Sequence, residues 1–263
     1  LQQRVEDGSL IEGIERSLNA MLYCAEEAKE LLSSDTFRVI NDIRDALQAL
    51  PQRLLGSISS APEEALDTLV TALMAFAGLT QESMNRGFGW RFMDMGRRLE
   101  RGQQISNVVD ILLNRQHGDG EQNKLAEALL LTLESLISYR RRFRGRTSIE
   151  TSLDLVLLDG GNPRSLLYQL QQLQQHLQAL PKAPAGLHEL SPRERTLLEA
   201  NVLIQLTSLQ QLSFVDEGQR PQLSFAMQQA RQRLAELSDQ ISDQYFNHRE
   251  TSQQLVHSAL EGL

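Results

Sequence analysis

Apolar residues recur at intervals of three and four through most of this 263-residue chain, the spacing that lines one face of an α-helix. Between residues 10 and 32 the stripe is Ile11, Ile14, Leu18, Met21, Leu22, Ala25, Ala28 and Leu32. A second helix is predicted from Asp35 to Leu50, capped by Ser34 and stopped by Pro51. Ser60-Ala61-Pro62-Glu63 sets a hydroxyl three residues ahead of a carboxylate, the order of a capping box, and opens a helix to about Met84. Asn85-Arg86-Gly87-Phe88-Gly89 breaks the pattern. The next helix, Trp90 to about Arg115, is expected to bury Phe92, Met93, Leu99, Ile105, Val108, Ile111 and Leu112.

Further helices are predicted from Glu121 to Phe143, from the capping Ser148 through Leu158, and from Arg164 to Leu180 after the turn Asp159-Gly160-Gly161-Asn162-Pro163. Ser191-Pro192-Arg193-Glu194 is a second capping box and starts a helix to about Leu212; Pro221 starts the last one. No alternating strand pattern of useful length interrupts them. The expectation is an all-α fold, an elongated antiparallel bundle of about eight helices. Pro181-Lys182-Ala183-Pro184-Ala185-Gly186 reads as a linker, separating a main bundle at 1–180 from a C-terminal helix pair at 187–263 within one domain.

Composition agrees with helix: aromatics are only 5%, and the abundant Leu, Gln, Ala, Glu and Arg lose little on entering one. Hydrophobic residues at 41% can fill a core. A single cysteine, Cys24, precludes an internal disulfide and reads as a small buried hydrophobe in a reducing compartment. No stretch approaches the roughly 20 apolar residues of a membrane span, and the N-terminus lacks signal-peptide order, so a cytoplasmic protein with no membrane partner is expected. The net charge of −8 argues against a nucleic-acid surface over the whole molecule. Of 26 basic residues only Lys29, Lys124 and Lys182 are lysine, a bias toward planar, bidentate pairing with carboxylates or phosphates.

The arginines concentrate from Glu82 to Arg101. On a helix Arg91, Asp94, Arg98 and Arg101 share one face, with Arg97 and Glu100 beside it. Apolar neighbours bring part of this charge toward the core, where arginine is costly unless paired. One reading is a network of internal salt bridges fixing helix register. The other is capture of a phosphate or carboxylate, aided by Gly87, Gly89 and Gly96, which permit close approach and positive φ near a helix start; Glu82, Arg86 and Trp90 belong to the same candidate site. Tyr139-Arg140-Arg141-Arg142 opens a second concentration, suited to acidic helices of the same chain, or to a docking surface or anion contact. Asn162 and Arg164 stand at a helix start, as an N-cap or an anion contact. The five histidines make no metal-binding pair on a helix, and no nucleophile has a positioned base, so neither metal nor catalytic residues are assigned.

The run Arg86-Gly87-Phe88-Gly89-Trp90-Arg91-Phe92 followed by Gly96-Arg97-Arg98-Leu99-Glu100-Arg101 resembles the bacterial alpha-E domain family. Three later runs agree in order: Ser138-Tyr139-Arg140-Arg141-Arg142-Phe143-Arg144, Leu153-Asp154-Leu155-Val156-Leu157-Leu158-Asp159, and Asn162-Pro163-Arg164-Ser165-Leu166. The resemblance implies a helical domain encoded beside, or fused to, a circularly permuted ATP-grasp protein and concerned with amide bonds in peptides. ATP and magnesium would belong to that partner, with no cofactor in this chain. The domain would bind substrate or organise the complex. An N-terminal Arg-x-x-Glu-Arg-like helix typical of the family is not found before Leu10, so the chain is expected to start inside the domain.

Overall fold

The structure, a computed structural model, describes residues 9–57, 62–181 and 189–246. Eleven α-helices and no β-strand occur among them, so the fold is all-α. Ser60 and Ala61 of the first capping box, and residues 182–188 with most of the expected linker, lie outside the described residues. The chain forms two compact units dividing at Phe92 and Met93.

The first unit contains α1 (Ser9–Glu27), a 3-10 turn (Lys29–Leu31), α2 (Ser34–Ser57), α3 (Pro62–Ser83) and the opening of α4 (Phe88–Leu113). Ile40, Ile43, Leu47, Leu50 and Leu54, alternating by three and four along α2, pack with Ala65, Leu69 and Ala72 of α3 and Leu22 and Ala25 of α1. Fully burying one such leucine contributes about 1.5–3 kcal/mol. That burial explains why α2 runs six residues past Pro51, the expected stop. Leu50 and Leu54 are 0% and 1% exposed, and their packing outweighs the hydrogen bond that proline cannot donate. The cap is Ser33, not Ser34: the Ser33 hydroxyl accepts from the Thr36 amide at 3.2 Å. Cys24 also departs from expectation, lying exposed between the buried Leu22 and Ala25.

The second unit continues α4 and adds α5 (Asp119–Thr132), α6 (Leu136–Phe143), α7 (Ile149–Leu153), a π-type turn (Asp154–Leu158), α8 (Leu166–Gln178), α9 (Pro192–Gln205), α10 (Leu209–Ser213) and α11 (Pro221–Tyr245). α11 packs on α9, and α9 on α8. Ser148, Ser165 and Ser191 cap α7, α8 and α9 with their hydroxyls, Ser191 in the expected reciprocal box with Glu194.

Two predicted helices are split. The one expected from Glu121 to Phe143 breaks where Glu134 takes φ 51°. The Ser135 amide then reaches back to the Leu130 carbonyl at 2.7 Å, and the Glu134 amide to that of Leu131 at 3.0 Å, the pairing that closes a helix on a left-handed residue. Glycine usually fills that place; glutamate gave no signal. The helix expected to reach Leu212 ends at Gln205, and α10 follows a short break.

The buried stripe of α4 is also rotated from the expected one. Met95, Leu99, Ile105, Val109 and Leu113 are buried, with Asp94, Arg98, Gly102 and Ser106 among them. Ile111 is 65% exposed, and Phe92, Met93, Val108 and Leu112 are only partly covered. Gly102 lies on the buried face. A Cβ there would meet the Leu234 side chain of α11 at 2.8 Å, so the smallest residue stands where that side chain packs on α4.

Candidate functional site

Arg86, Trp90 and Arg91 surround the start of α4 in the first unit. The Arg86 guanidinium lies 4.1 Å over the Trp90 ring and donates to the Gln81 carbonyl, closing the turn from α3 to α4. Glu82 and Arg86 are exposed and Arg91 is half-buried. Of the three glycines expected to admit close approach or positive φ, only Gly89 is closely approached, by the Leu31 side chain, and none has positive φ. Arg86 is therefore committed to its own turn.

The second unit gathers the charge that sequence spacing placed on one face. Asp94, 1% exposed, accepts from Arg98 through both oxygens: Nε to Oδ2 at 3.0 Å and Nη2 to Oδ1 at 3.2 Å. Arg98 also donates to Gln169 Oε1 at 3.3 Å and lies 5.5 Å over the Tyr168 ring. His176 Nε2 meets Asp94 Oδ2 at 2.8 Å, and Arg97 meets Oδ1 at 3.4 Å. One buried carboxylate thus ties α4 to α8 through a bidentate arginine and a histidine.

Burial pushes the Asp94 carboxyl up, but the His176 hydrogen bond and the charges and hydrogen bonds of Arg98 and Arg97 outweigh it, holding the pKa at about 2. A depressed carboxylate pKa adds stability that is present above the unfolded value near 4 and lost as pH falls toward the folded one. Roughly 2 kcal/mol is involved. Urea midpoints at pH 5 and pH 2.5 should therefore differ more in the native protein than in Asp94→Asn. Equal pH dependence in the two would refute this role.

Arg101 is different. It is half-buried, one turn beyond Arg97 and Arg98, yet among the described residues it makes no side-chain hydrogen bond or ion pair. Burial lowers its pKa, and so do the neighbouring charges of Arg164, Arg98 and Arg97. Arg164 precedes α8 and pairs with the exposed Glu134. Glu100 turns to solvent and accepts from Gln104 at 3.1 Å, so it takes no part in the cluster.

The remaining candidates are engaged locally. The buried Tyr139 hydroxyl joins Thr151 Oγ1 at 2.6 Å, the Ser148 amide and the Arg146 carbonyl, bracing the turn between α6 and α7. Arg140 pairs with Glu127 at 3.1 Å, and Arg142 with Asp154 at 3.0 Å and Asp159 at 2.8 Å. Arg141 faces solvent. Asn162 is buried, donates to the Leu155 carbonyl at 3.0 Å and accepts from the Arg164 amide at 3.0 Å, fixing the turn into α8. Among the described residues no group of histidine, cysteine and carboxylates could hold a metal ion, and no helix is long and apolar enough to cross a membrane.

Sequence reasoning missed Gln169, His176 and Arg220. The first two gave a signal: they fall on the same helical face as Leu166, Leu170, Leu173 and Leu177, polar residues where the period demands apolar ones. Arg220 gave none. It is 3% exposed and donates to the carbonyls of Leu113 at 2.9 Å and Arg115 at 2.8 Å and to Gln122 Oε1 at 2.5 Å. Its own amide takes the Asn114 carbonyl at 2.7 Å. The carbonyl end of α4 is thereby satisfied by one residue 107 positions on.

The chain is 28% identical over 238 residues to Uncharacterized protein Rv2567 of Mycobacterium tuberculosis strain H37Rv, and equally to Uncharacterized protein Mb2597 of Mycobacterium bovis. Each alignment covers 89% of this chain and 26% of the relative, so the chain spans about a quarter of the length of the curated relatives it matches. No solved structure matches. The Alpha-E family, described as a predicted alpha-helical domain with a conserved ER motif, matches residues 1–246. Glu-Arg pairs stand at Glu15-Arg16, Glu100-Arg101 and Glu194-Arg195, the second supplying the unengaged arginine. With a match that takes in every described residue, the chain belongs to the Alpha-E family.

Proposed function

We propose that this domain is an accessory module of a circularly permuted ATP-grasp peptide ligase system, binding an anionic substrate or the ligase itself. ATP and magnesium are held by the ligase, and this chain supplies recognition. The observation that carries the reading is Arg101: a half-buried guanidinium with no hydrogen bond among the described residues, pressed by like charges, has the character of a group awaiting an anion. The span of the match, a quarter of the relatives' length, supports a module working beside other domains.

Ligation by the reconstituted pair tests it. Arg101→Ala is expected to lower the ligation rate about tenfold, the cost of roughly one charge-assisted hydrogen bond, with the melting temperature unchanged. Full activity of the variant would end the proposal.

The second reading, a helical scaffold whose arginine-carboxylate network only stabilises the bundle, is favoured by Arg98, whose partners Asp94 and Gln169 are both internal. The two readings divide the segment between Arg98 and Arg101.

A further inference from the structure

Three contacts lay the Arg98 to Gly102 turn of α4 against the first turn of α8. Arg98 reaches Gln169 at 3.3 Å and the Tyr168 ring at 5.5 Å, and the place of a Cβ on Gly102 is 3.5 Å from Leu166. Arg101 precedes Gly102, Arg164 stands two residues ahead of Leu166, and the Arg164 charge is the foremost of the neighbouring charges acting on Arg101, so both belong to the N-terminal end of a 13-residue helix. That end carries the partial positive charge of the helix dipole. Ser165 already caps it with its hydroxyl, accepting from the Tyr168 amide at 3.1 Å. The dipole therefore contributes field at the site, while the donors come from guanidinium groups.

We infer that Arg101, with Arg97 and Arg164 beside it at the head of α8, forms a binding site for a phosphoryl dianion. Arg98 does not contribute donors, because Asp94 and Gln169 occupy its fork. Arg97 pairs with Asp94 and Arg164 with Glu134, while Arg101 pairs with no carboxylate among the described residues. Charge selects the ligand. A carboxylate brings one negative charge into a field of several arginines and a helix N-terminus, whereas a phosphoryl group brings nearly two and three acceptor oxygens to share among planar forks. Coulomb attraction at such separations grows in proportion to ligand charge, so the dianion is preferred. The inference rests on reading the cluster as a recognition surface and names its ligand class.

Calorimetric titration of the 263-residue protein at pH 8 and constant ionic strength tests this, with inorganic phosphate, phenyl phosphate and acetate as probes. Phosphate is expected to bind at a single site, with acetate at least about tenfold weaker. Arg101→Ala should weaken phosphate roughly 10- to 100-fold, Arg101→Lys should recover part of the loss, and the solvent-facing Arg141→Ala should change nothing. Equal affinity for acetate and phosphate, unchanged phosphate affinity in Arg101→Ala, or no saturable binding would each overturn the site. Binding of phenyl phosphate as well as phosphate assigns the site to the phosphoryl group of a larger molecule, and exclusion of phenyl phosphate assigns it to free phosphate. Phosphate binding that fails while ligation still needs Arg101 refutes the ligand class alone. Ligation indifferent to Arg101 with phosphate binding intact refutes the accessory role alone.

Discussion

Asp94→Asn is expected to destabilise the second unit by about 3–5 kcal/mol, the range for stranding one member of a buried ion pair. The substitution keeps the side chain's shape and removes its charge. Arg98, 9% exposed, then retains a neutral amide, Gln169 and the Tyr168 ring, with no carboxylate accepting from its fork. His176 loses its charged acceptor at the same time. Arg98→Met should cost less than Asp94→Asn, since the Asp94 carboxylate keeps Arg97 and His176 as partners while methionine fills the space. The cost of the double variant should fall short of the sum of the two single costs by at least about 1 kcal/mol, the signature of directly coupled groups. Urea denaturation of the four proteins measures all of this. A loss below about 1 kcal/mol for Asp94→Asn would mean that water reaches the carboxylate in solution.

Arg220→Met should cost about 2–4 kcal/mol through a different mechanism. No carboxylate is involved; what disappears is the cover over the carbonyls of Leu113 and Arg115 at the end of α4, together with the bond to Gln122. Each buried acceptor left bare costs about 1–3 kcal/mol. Burial lowers the Arg220 pKa from the usual guanidinium range, yet arginine stays charged far above neutrality, so the effect should be the same from pH 6 to pH 9. Arg220→Lys should recover less than half, because a single ammonium cannot span two carbonyls and an amide as the planar fork does. Hydrogen exchange at the backbone amide of Gln116, which pairs with the Gly218 carbonyl at 2.9 Å, should accelerate in step with the loss. Both variants within about 0.5 kcal/mol of the native protein would show that the end of α4 is capped by solvent instead.

These two sites differ in how visible they are in sequence. Asp94 and Arg98 are four residues apart on one helix, and their mutual reach follows from helical geometry alone. Arg220 and Leu113 come together only because α11 returns alongside α4. The pairing of Arg231 with Asp110 at 2.8 Å along those helices is equally long-range. Side chains far apart in the chain leave no periodic trace.

The sequence by itself determined what is local. Three-and-four spacing set the all-α class, a capping serine set the start of α7 and a hydroxyl three residues ahead of a carboxylate that of α9, and the ordered arginine runs resembled the Alpha-E family to which the chain belongs. Tertiary structure decided which local preference was overruled and which charge was buried. Leu50 and Leu54 carry α2 through Pro51 because packing outweighs one hydrogen bond, and Glu134 ends α5 in a conformation glutamate does not favour. α4 is turned so that Asp94, Arg98 and Gly102 face inward and Ile111 outward. The Arg86 to Arg101 segment, uniform as a run of letters, is divided by that rotation: Arg98 meets a carboxylate inside, and Arg101, three residues on, is left at the edge with none. Periodicity places a residue on a face, but only the neighbouring helix decides what that face meets.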